Sequence, residues 1–403
     1  MSNSYADLPL HYGQVPPWLA RRMSLLGGAI VEAVAINYGK GEVLRRLSDP
    51  CWFQALGCVL GMDWHSSGIT TSVMGALKKA VNPMARELGI YFCGGKGRHS
   101  RETPAELQVI AARTGLPGDL LVRSSKLAAK VDNNALQDGY QLYLHTFVVS
   151  DEGEWAIIQQ GMNDSNGMAR RYHWHSAMMP SFTETPHTFI YGHNQGPILN
   201  LTAKEASATK NSLVQLVQEG PARMLPEIRK LVMPSHHDVR AENVDLKRLG
   251  SVLAVAHERG LHDFESLLLM EGVGARTIQS LTLVSEVIYG TPSRFTDPAR
   301  FSFAHGGKDG HPFPVPTKVY DETIHVLQDA VEKAKMGQTD KQEVIRKLSV
   351  LSERLEKDFV PNENFQQVIR RERDNSWQYG GRTVMGMAKP PKKDKGGQQL
   401  SLF

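Results

Sequence analysis

Residues 140–162, YQLYLHTFVVSDEGEWAIIQQGM, decide the fold class of this chain. The two apolar runs, 140–149 and 155–162, are rich in aromatic and β-branched side chains, and the first alternates between apolar and polar positions, which is typical of strands. The segment between them, SDEGE at 150–154, has the polar, glycine-containing composition of a turn. The sequence therefore predicts an antiparallel β-hairpin.

Helical patterns dominate the chain on both sides of this hairpin. Apolar residues recur at helical spacing over 16–88 and again from residue 201 onward. We therefore expect an α+β fold, with a mixed N-terminal domain that contains a small antiparallel β-hairpin sheet, followed by a mainly helical region. The predicted boundaries are 1–200 for the mixed domain, 201–318 for the helical region, 319–385 for a helical hairpin, 386–398 for a flexible basic linker and 399–403 for a terminal peptide.

The composition is that of an ordinary soluble protein. The chain has 403 residues, of which 41% are hydrophobic and 22% charged, and its net charge of +4 allows a local basic face without requiring one. The three cysteines show no CxxC spacing, which argues against a disulfide framework or a cysteine zinc site. No stretch approaches the roughly 18 apolar residues of a membrane span, so we expect a cytoplasmic protein without a membrane partner.

Polar side chains flank the hairpin and converge on one predicted sheet edge, where we expect any catalytic centre to lie. The side chains predicted to carry the chemistry are Lys126, Asp132, Asp138, His173 and His175. Asp132 and Asp138, with His145, have the donor types that would hold a divalent ion such as Mg²⁺ or Mn²⁺. The sequence thus predicts metal-dependent phosphodiester hydrolysis.

Other residues around the hairpin have supporting roles in this mechanism. Lys126, Lys130 and Arg171 would neutralise charge that develops on the phosphate, and His173 or His175 would act as general acid or base. The alternative is a polar rim that only satisfies the sheet edge, in which Arg170 and Arg171 merely contact DNA. Arg171 thus contacts a nucleic-acid backbone in both interpretations.

A second informative stretch is LLLMEGVGARTIQSLTLVSEVIYG at 267–290. Its apolar positions predict two helices joined at Gly272, Val273 and Gly274, with Gly290 as the stop signal of the second helix. A glycine-rich turn at the start of a helix lets a ligand approach the backbone closely, and the free N–H groups of the helix point toward that ligand. The stretch therefore predicts an anion site.

Residues 263–290 resemble the helix-hairpin-helix family of DNA-binding motifs, through Gly272, Val273 and Gly274 and the following ARTI string that contains Arg276 and Thr277. The resemblance implies contact with DNA phosphates without reading of the base sequence. The alternative is a helical hairpin whose glycines serve packing alone.

Two glycine-lysine loops add candidate phosphate contacts. GGKGR at 94–98 contains Lys96 and Arg98, and GGK at 306–308 contains Lys308. Neither has the spacing of a Walker motif, so the loops do not indicate a nucleotide-hydrolysing enzyme. Ordinary glycine-turn chemistry is the alternative explanation of their similarity.

The composition changes at residue 386, where a lysine- and proline-rich tether begins. The chain then ends in five residues with three apolar anchors: Gln399, Leu400, Ser401, Leu402 and Phe403. An apolar peptide on a tether is typical of a segment that docks on a partner. This pentapeptide resembles the bacterial sliding-clamp-binding motif at every position, which implies recruitment to the replication clamp. An accidental apolar end is the alternative.

Residues 8–335 resemble the prokaryotic family known only as domain of unknown function 763. The resemblance is carried by GMDWHSSG at 61–68, GGKG at 94–97, LQDGY at 136–140, QQGMN at 159–163 and SFAHGGKDGH at 302–311. The family name implies no activity.

Together these features predict a clamp-associated DNA-processing protein of replication or repair, associated with the nucleoid and acting as a metal-dependent DNA nuclease. The main alternative is a non-catalytic DNA-binding adaptor that uses the same helical hairpin and tail. An RNA-cleaving or RNA-modifying enzyme would fit the glycine-lysine loops but would leave the tail unexplained.

Overall fold

The computed structural model describes residues 8–9, 15, 17–62, 67–228, 246–299, 382–383 and 386–387. Its helices are α1 Pro17–Tyr38, α2 Lys40–Ser48, α3 Pro50–Val59, α4 Gly68–Val81, α5 Ala85–Leu88, α6 Arg98–Thr114, α7 Gly118–Lys130, α8 Ser207–Gln218, α9 Pro221–Ile228, α10 Leu246–Glu258, α11 Phe264–Leu269 and α12 Ala275–Tyr289. Its strands are β1 Leu8–Pro9, β2 Ile90–Lys96, β3 Leu136–Gln137, β4 Gln141–Ser150, β5 Trp155–Asn163, β6 Met168–His175, β7 His187–Tyr191, β8 Leu199–Asn200, β9 Arg382–Thr383 and β10 Gly386–Met387.

The predicted hairpin is confirmed as β4 and β5, and it forms the centre of a larger antiparallel sheet. Val149 pairs with Trp155 next to the turn, and the register continues to Gln141 opposite Met162 with one irregularity. Within the described residues the sheet has six strands, in the order β1-β6-β5-β4-β2, with β7 also paired to β6. The mixed α+β fold class is therefore confirmed, with a sheet that is larger than expected.

Both faces of the sheet are covered by helices. On one face Phe147, Ile157 and Trp174 belong to a core cluster that also contains side chains of α6, α7, α8 and α12. On the other face Val148 and Ile158 belong to a second cluster formed with α1, α3 and α4. Antiparallel sheets often keep one face in water, but this one lies between two helical layers. Polar side chains on its central strands are consequently buried.

The first core cluster also crosses the predicted boundary at residue 200. It includes side chains from Cys93 in β2 to Ala299 beyond α12, and Leu201 lies in it with no exposed surface. The first part of the predicted helical region therefore shares one core with the sheet. A membrane-spanning helix, long and apolar enough to cross a bilayer, is not found in the described part of the chain.

Gly94 shows how closely α6 approaches the sheet. An added Cβ at this position would lie 2.2 Å from the carbonyl oxygen of His145 and 2.4 Å from Thr103 Oγ1, at a backbone φ of +79°. We expect Gly94→Ala to lower the free energy of unfolding by about 2 kcal/mol, through overpacking and backbone strain. Urea unfolding followed by circular dichroism measures this loss.

The matched control is Gly75→Ala in α4, because a Cβ there meets nothing within 4 Å. This change should raise the free energy of unfolding by about 0.5–1 kcal/mol, as alanine is favoured over glycine in a helix. Equal stability of the two variants would contradict the close approach at Gly94.

Candidate nucleic-acid interface

The turn between β2 and α6 forms one part of the candidate interface. Lys96 closes β2, Gly97 turns the chain at a φ of +60°, and Arg98 opens α6, and all three residues are exposed. The Gly97 N–H donates to the carbonyl oxygen of Tyr143 at 2.7 Å, which fixes the turn against β4. Gly97 has no side chain with which to cap α6; the Ser100 N–H donates to the Gly97 carbonyl oxygen at 3.1 Å, and no side chain caps the start of the helix.

The backbone of Gly94, which precedes this turn, is held by an ion pair between α4 and α6. Glu106 in α6 accepts the Gly94 N–H at 2.5 Å, and Lys78 Nζ donates to the Gly94 carbonyl oxygen at 2.8 Å. Lys78 and Glu106 also pair directly at 2.6 Å. The end of β2 is thus tied to α4 and α6, and the exposed cations of the turn rest on a fixed backbone.

The predicted helical hairpin is confirmed in its geometry as α11 and α12. Gly272 has a φ of +83°, Gly274 precedes α12, and α12 ends at Tyr289 with Gly290 in the left-handed region. Arg276 is exposed in the first turn of α12, which Gly274 cannot cap with a side chain. The assignment of this hairpin as a DNA-binding motif stays a prediction.

Two residues of the predicted DNA contact set have buried side chains with structural roles. Val273 is 2% exposed and packs in the core, and its carbonyl oxygen accepts a hydrogen bond from Lys130 Nζ at 2.8 Å. Thr277 is also buried. The side chains of Val273 and Thr277 therefore anchor the hairpin and do not face a ligand, and contact of DNA with the backbone N–H groups of this turn stays a prediction.

Hydrogen bonds place the two uncapped helix starts at the same end of the sheet. The β2–α6 turn is bonded to Tyr143, and the neighbouring Leu142 N–H donates to Asn133 Oδ1 at 3.2 Å, just after α7. Lys130 at the end of α7 holds the Val273 carbonyl, and Gln137 Nε2 donates to the Ala275 carbonyl at 2.8 Å. The N-termini of α6 and α12 therefore belong to one region of the surface.

We call this region the basic end. It consists of the two uncapped helix starts and five exposed cations: Lys96, Arg98, Arg101, Lys126 and Arg276. His99 lies in the same turn, but its Nδ1 is 2.8 Å from Glu102 Oε2. Lys126, predicted as part of a catalytic centre, is thus exposed on α7 and belongs with the cations of this end.

Arg170 and Arg171 were predicted to contact DNA, and their burial contradicts this. Both have no exposed surface. Arg171 stacks over the Phe53 ring at 4.5 Å and donates to Gln54 Oε1 at 3.0 Å, and burial lowers its pKa to about 10. Residues on β6 are covered on both faces of the sheet, so neither guanidinium reaches a ligand at the surface.

Asp138 has a structural partner set. One of its oxygens accepts from Arg170 Nη1 at 2.7 Å and from the Tyr172 hydroxyl at 2.6 Å, and the other accepts the Tyr140 N–H at 3.1 Å. Asp297 shares the same guanidinium, with Oδ2 at 2.6 Å from Arg170 Nη2. Both carboxylate oxygens of Asp138 are therefore hydrogen-bonded within the protein, which contradicts its predicted catalytic and metal-binding role.

Asp132 and His145 belong to a different buried network. Gln159 Nε2 donates to Asp132 Oδ2 at 2.6 Å, and Gln159 Oε1 lies 2.8 Å from His145 Nδ1. The other ring nitrogen of His145 is 2.8 Å from Ser125 Oγ, and burial lowers the His145 pKa.

This arrangement does not form the predicted metal site. Asp138 is bonded to Arg170 and Tyr172, whereas Asp132 and His145 are both bonded to Gln159. No group of three His, Cys, Asp or Glu side chains within the described ranges is arranged to hold a metal ion. The predicted requirement for Mg²⁺ or Mn²⁺ therefore lacks a coordinating set in this part of the chain.

The predicted acid–base histidines are also buried. His173 Nε2 accepts from Arg171 Nε at 2.8 Å and its Nδ1 is 3.1 Å from the Leu47 carbonyl oxygen, so both ring nitrogens are used. Burial and the Arg171 charge hold the pKa of His173 well below its ordinary value. His175 is 3% exposed beside Glu154, and burial lowers its pKa as well. Neither ring is open to a substrate.

These lowered pKa values predict a loss of stability in mild acid. An unfolded chain protonates His145 and His173 below pH about 6.5, whereas the folded protein keeps them neutral to lower pH. The free energy of unfolding should therefore fall as pH drops below 6.5, by up to about 1.4 kcal/mol per pH unit for each histidine. Urea unfolding at several pH values between 7.5 and 5 measures this slope.

The comparison variant is His173→Gln, which removes the titrating ring and should reduce the slope by one such contribution. The exposed His262 provides the matched control, since His262→Gln should leave the contribution of the buried rings in place. An unchanged slope in His173→Gln would mean that His173 titrates alike in the folded and unfolded chain.

Some predicted features lie outside the described residues. Two residues that contact the predicted site residues were not predicted. Lys308, most of the 319–385 helical hairpin, most of the 386–398 linker and the 399–403 peptide fall outside the described ranges. Asp297, which completes the Arg170 pair, and His187, which contacts Asp132, were both missed. Asp297 stands in an ordinary Thr-Asp-Pro turn string, which gives no signal of a buried ion pair.

A model of the family described as "Protein of unknown function (DUF763)" matches residues 4–315. This chain belongs to that family, which confirms the resemblance carried by the polar strings of the sequence. The comparisons with curated proteins and with solved structures found no match.

Proposed function

We propose that this protein binds DNA through the phosphate backbone at its basic end and is recruited to the bacterial sliding clamp by residues 399–403. The observation that carries the proposal is that two helix N-termini without side-chain caps, those of α6 and α12, lie in one region of the surface, connected by hydrogen bonds through β4 and α7. Exposed Lys96, Arg98 and Arg276 flank them. Oriented N–H groups and cations together favour phosphate oxygens.

Binding of this kind is expected to be independent of the base sequence. The groups at the basic end are backbone amides of two turns and flexible cationic side chains, which recognise phosphate geometry and charge. The rigid support beneath them, from Lys130 and Gln137 to the helical hairpin and from Glu106 to Gly94, keeps the spacing of the two helix starts fixed. A regular backbone with repeating phosphates fits such a pair of contacts.

The clamp interaction rests on the sequence of the terminal peptide. Gln399, Leu400, Ser401, Leu402 and Phe403 match the clamp-binding pattern at each position, and the preceding tether is long enough to let the peptide dock independently. Tethering to the clamp raises the local concentration of the protein at DNA without any new DNA contact. We therefore place the protein in replication or repair, in the cytoplasm at the nucleoid.

Between the two classes expected from the sequence, the geometry favours the DNA-binding adaptor over the metal-dependent nuclease. Asp138 and His173, which were assigned the chemistry, are bonded to buried protein partners, and the ring of His175 is buried. The nuclease remains the competing proposal, because it shares the DNA contacts and the tail.

The test combines binding and cleavage on the same purified protein. Fluorescence anisotropy with several duplexes and single strands of unrelated sequence should give similar Kd values that rise steeply with salt. Surface plasmon resonance with purified sliding clamp should show binding that disappears when residues 399–403 are deleted. Incubation with Mg²⁺ or Mn²⁺ should leave the DNA intact.

Three results would count against these proposals. Absence of DNA binding at low salt removes the basic end as an interface, and clamp binding that survives the deletion removes the tail. Cleavage products that require added metal and disappear in Asp132→Asn, with the fold retained, would restore the nuclease.

A further inference from the structure

A cleft of about 360 Å³, with both polar and apolar walls, opens beside β7, at the opposite edge of the sheet from β2. Its walls come from β7, from residues 200–205 and from residues 294–298. The side chains relevant here are His187, Thr188, Thr202, Lys204 and Arg294. A cleft of this size matches the lower range of small-molecule sites, which hold ligands in roughly 300–1,000 Å³.

The floor of the cleft contains a histidine whose orientation is fixed by a buried carboxylate. His187 Nε2 lies 2.5 Å from Asp132 Oδ1, and Asp132 has no exposed surface. The other carboxylate oxygen accepts from Gln159 Nε2 at 2.6 Å and from Trp174 Nε1 at 3.0 Å. The Trp174 ring also meets the His187 ring edge-on, with centroids 4.5 Å apart.

This arrangement decides which ring nitrogen is available to a ligand. Because the carboxylate only accepts hydrogen bonds, Nε2 of His187 carries the proton that points toward Asp132. Nδ1 has no hydrogen-bond partner among the described residues, and His187 lines the cleft. A buried carboxylate that holds a histidine in one tautomer is the usual way to present the second nitrogen to a ligand.

The rim of the cleft carries positive charge. Lys204 and Arg294 are exposed there, and the one acid that lines the cleft, Glu205, is 63% exposed and 3.9 Å from Arg294. An ion pair so long and so open to water neutralises little of the arginine charge. The cleft therefore favours an anionic ligand.

The backbone at the mouth of the cleft is strained. Thr185 has a φ of +44°, a conformation that β-branched residues rarely adopt, and it directly precedes Pro186. Its N–H donates to the Thr202 carbonyl oxygen at 2.8 Å, which holds the two walls together. Strain of this kind is kept where the surrounding structure fixes a functional geometry.

We propose that this cleft binds a phosphate-bearing ligand of about mononucleotide size. Lys204 and Arg294 contact the phosphate, and Nδ1 of His187 contacts a polar atom of the ligand, with Asp132 as the positioning residue. The phosphate belongs either to a free nucleoside monophosphate or to the 5′ end of a DNA strand.

The site is separate from the basic end. From β2 to β7 the path crosses β4, β5 and β6, which at strand spacing is about 19 Å. The proposal therefore does not depend on DNA binding at the basic end.

Isothermal titration calorimetry on the full chain tests the proposal with three probes: inorganic phosphate, a nucleoside 5′-monophosphate and a short oligonucleotide with or without a 5′-phosphate. We expect the mononucleotide to bind, and Arg294→Gln and Lys204→Gln to weaken it at least tenfold each. His187→Gln should weaken it as well, with the fold checked by circular dichroism. The exposed Arg259→Gln is the matched control, which should bind as the wild type does.

The oligonucleotide arm identifies the source of the phosphate. If the 5′-phosphorylated oligonucleotide competes with the mononucleotide for the cleft, and still does so when Lys96 and Arg98 are replaced, the site binds DNA ends. If the mononucleotide binds and the oligonucleotide does not compete with it, the site binds a free nucleotide. The proposal is overturned if no phosphate-bearing probe binds at millimolar concentration. It is also overturned if Arg294→Gln and Lys204→Gln, both at exposed positions, leave the affinity unchanged.

Discussion

Arg170→Met is expected to lower the free energy of unfolding by about 3–5 kcal/mol, the usual cost of removing one partner from a buried ion pair. The guanidinium stands between two carboxylates, with Asp138 Oδ2 2.7 Å from Nη1 and Asp297 Oδ2 2.6 Å from Nη2. All three side chains are almost completely buried. The variant would leave two acidic groups in the interior without a cation.

The same arginine also connects segments far apart in the chain. Asp297 accepts the Gln195 N–H at 2.7 Å and the Ala299 N–H at 2.8 Å, so the ion pair fixes the loop after β7 and the segment after α12. We therefore expect the loss of Arg170 to loosen these two segments together. Hydrogen exchange should then be faster at both loops than at β4 and β5, even where the fold survives.

Urea unfolding of wild type and variant measures the loss of stability. The triple variant Arg170→Met, Asp138→Asn and Asp297→Asn should recover part of it, because the amides do not leave unpaired charges in the core. Arg101→Met, at an exposed arginine, is the matched control and should change stability by less than about 0.5 kcal/mol. A fully stable Arg170→Met variant with weakened DNA binding would instead place this guanidinium on the surface.

Arg170 also shows where reasoning from the sequence reaches its limit. The string ARRYHWH at 169–175 contains charged, aromatic and imidazole side chains, which by composition indicate an exposed functional edge. In the structure β6 lies inside the sheet with helices on both faces, so all of these side chains are buried. The partner that explains Arg170 is Asp297, more than one hundred residues away, and no local pattern connects the two.

Local patterns, in contrast, were predictive wherever local physics decides the structure. The β4–β5 hairpin follows from two strand-forming runs around a short polar turn, and α12 follows from its apolar spacing and from Gly290. Lys96, Arg98 and Arg276 were predicted to contact phosphate from their positions beside glycine turns; all three are exposed, and their contact with DNA stays a prediction. The Asp132–His187 contact was missed because β7 and the turn after α7 meet only in the folded chain.

Replacing Lys96, Arg98 and Arg276 together by glutamine is expected to weaken DNA binding at least about 100-fold at near-physiological salt. The slope of log Kd against log salt concentration should also fall, by about 0.9 for each phosphate that is no longer neutralised and thus by about 2.7 for the triple variant. The physical reason is that binding without these three cations releases fewer counterions from the phosphate backbone. Fluorescence anisotropy with one labelled duplex, repeated over a range of salt concentrations, gives both quantities.

The control must remove the same charge without touching the basic end. Arg86, Arg113 and Arg259 are exposed, and Arg113 lies at the opposite end of α6 from Arg98. The triple glutamine variant at these three positions has the same net charge as the basic-end variant. It should keep DNA affinity within a few-fold of wild type, because phosphate contacts act over distances comparable to the Debye length of about 8 Å.

The single variants decide how the interface is divided between its two turns. If both helix starts contact one DNA molecule, Arg98→Gln and Arg276→Gln should each lower the salt slope by about 0.9, and their effects on the free energy of binding should add. An effect of Arg98→Gln alone would confine binding to the β2–α6 turn and leave the helical hairpin as a packing element. If the control triple variant weakens binding as much as the basic-end triple variant, net charge alone carries the binding, and the arrangement of the two helix starts does not.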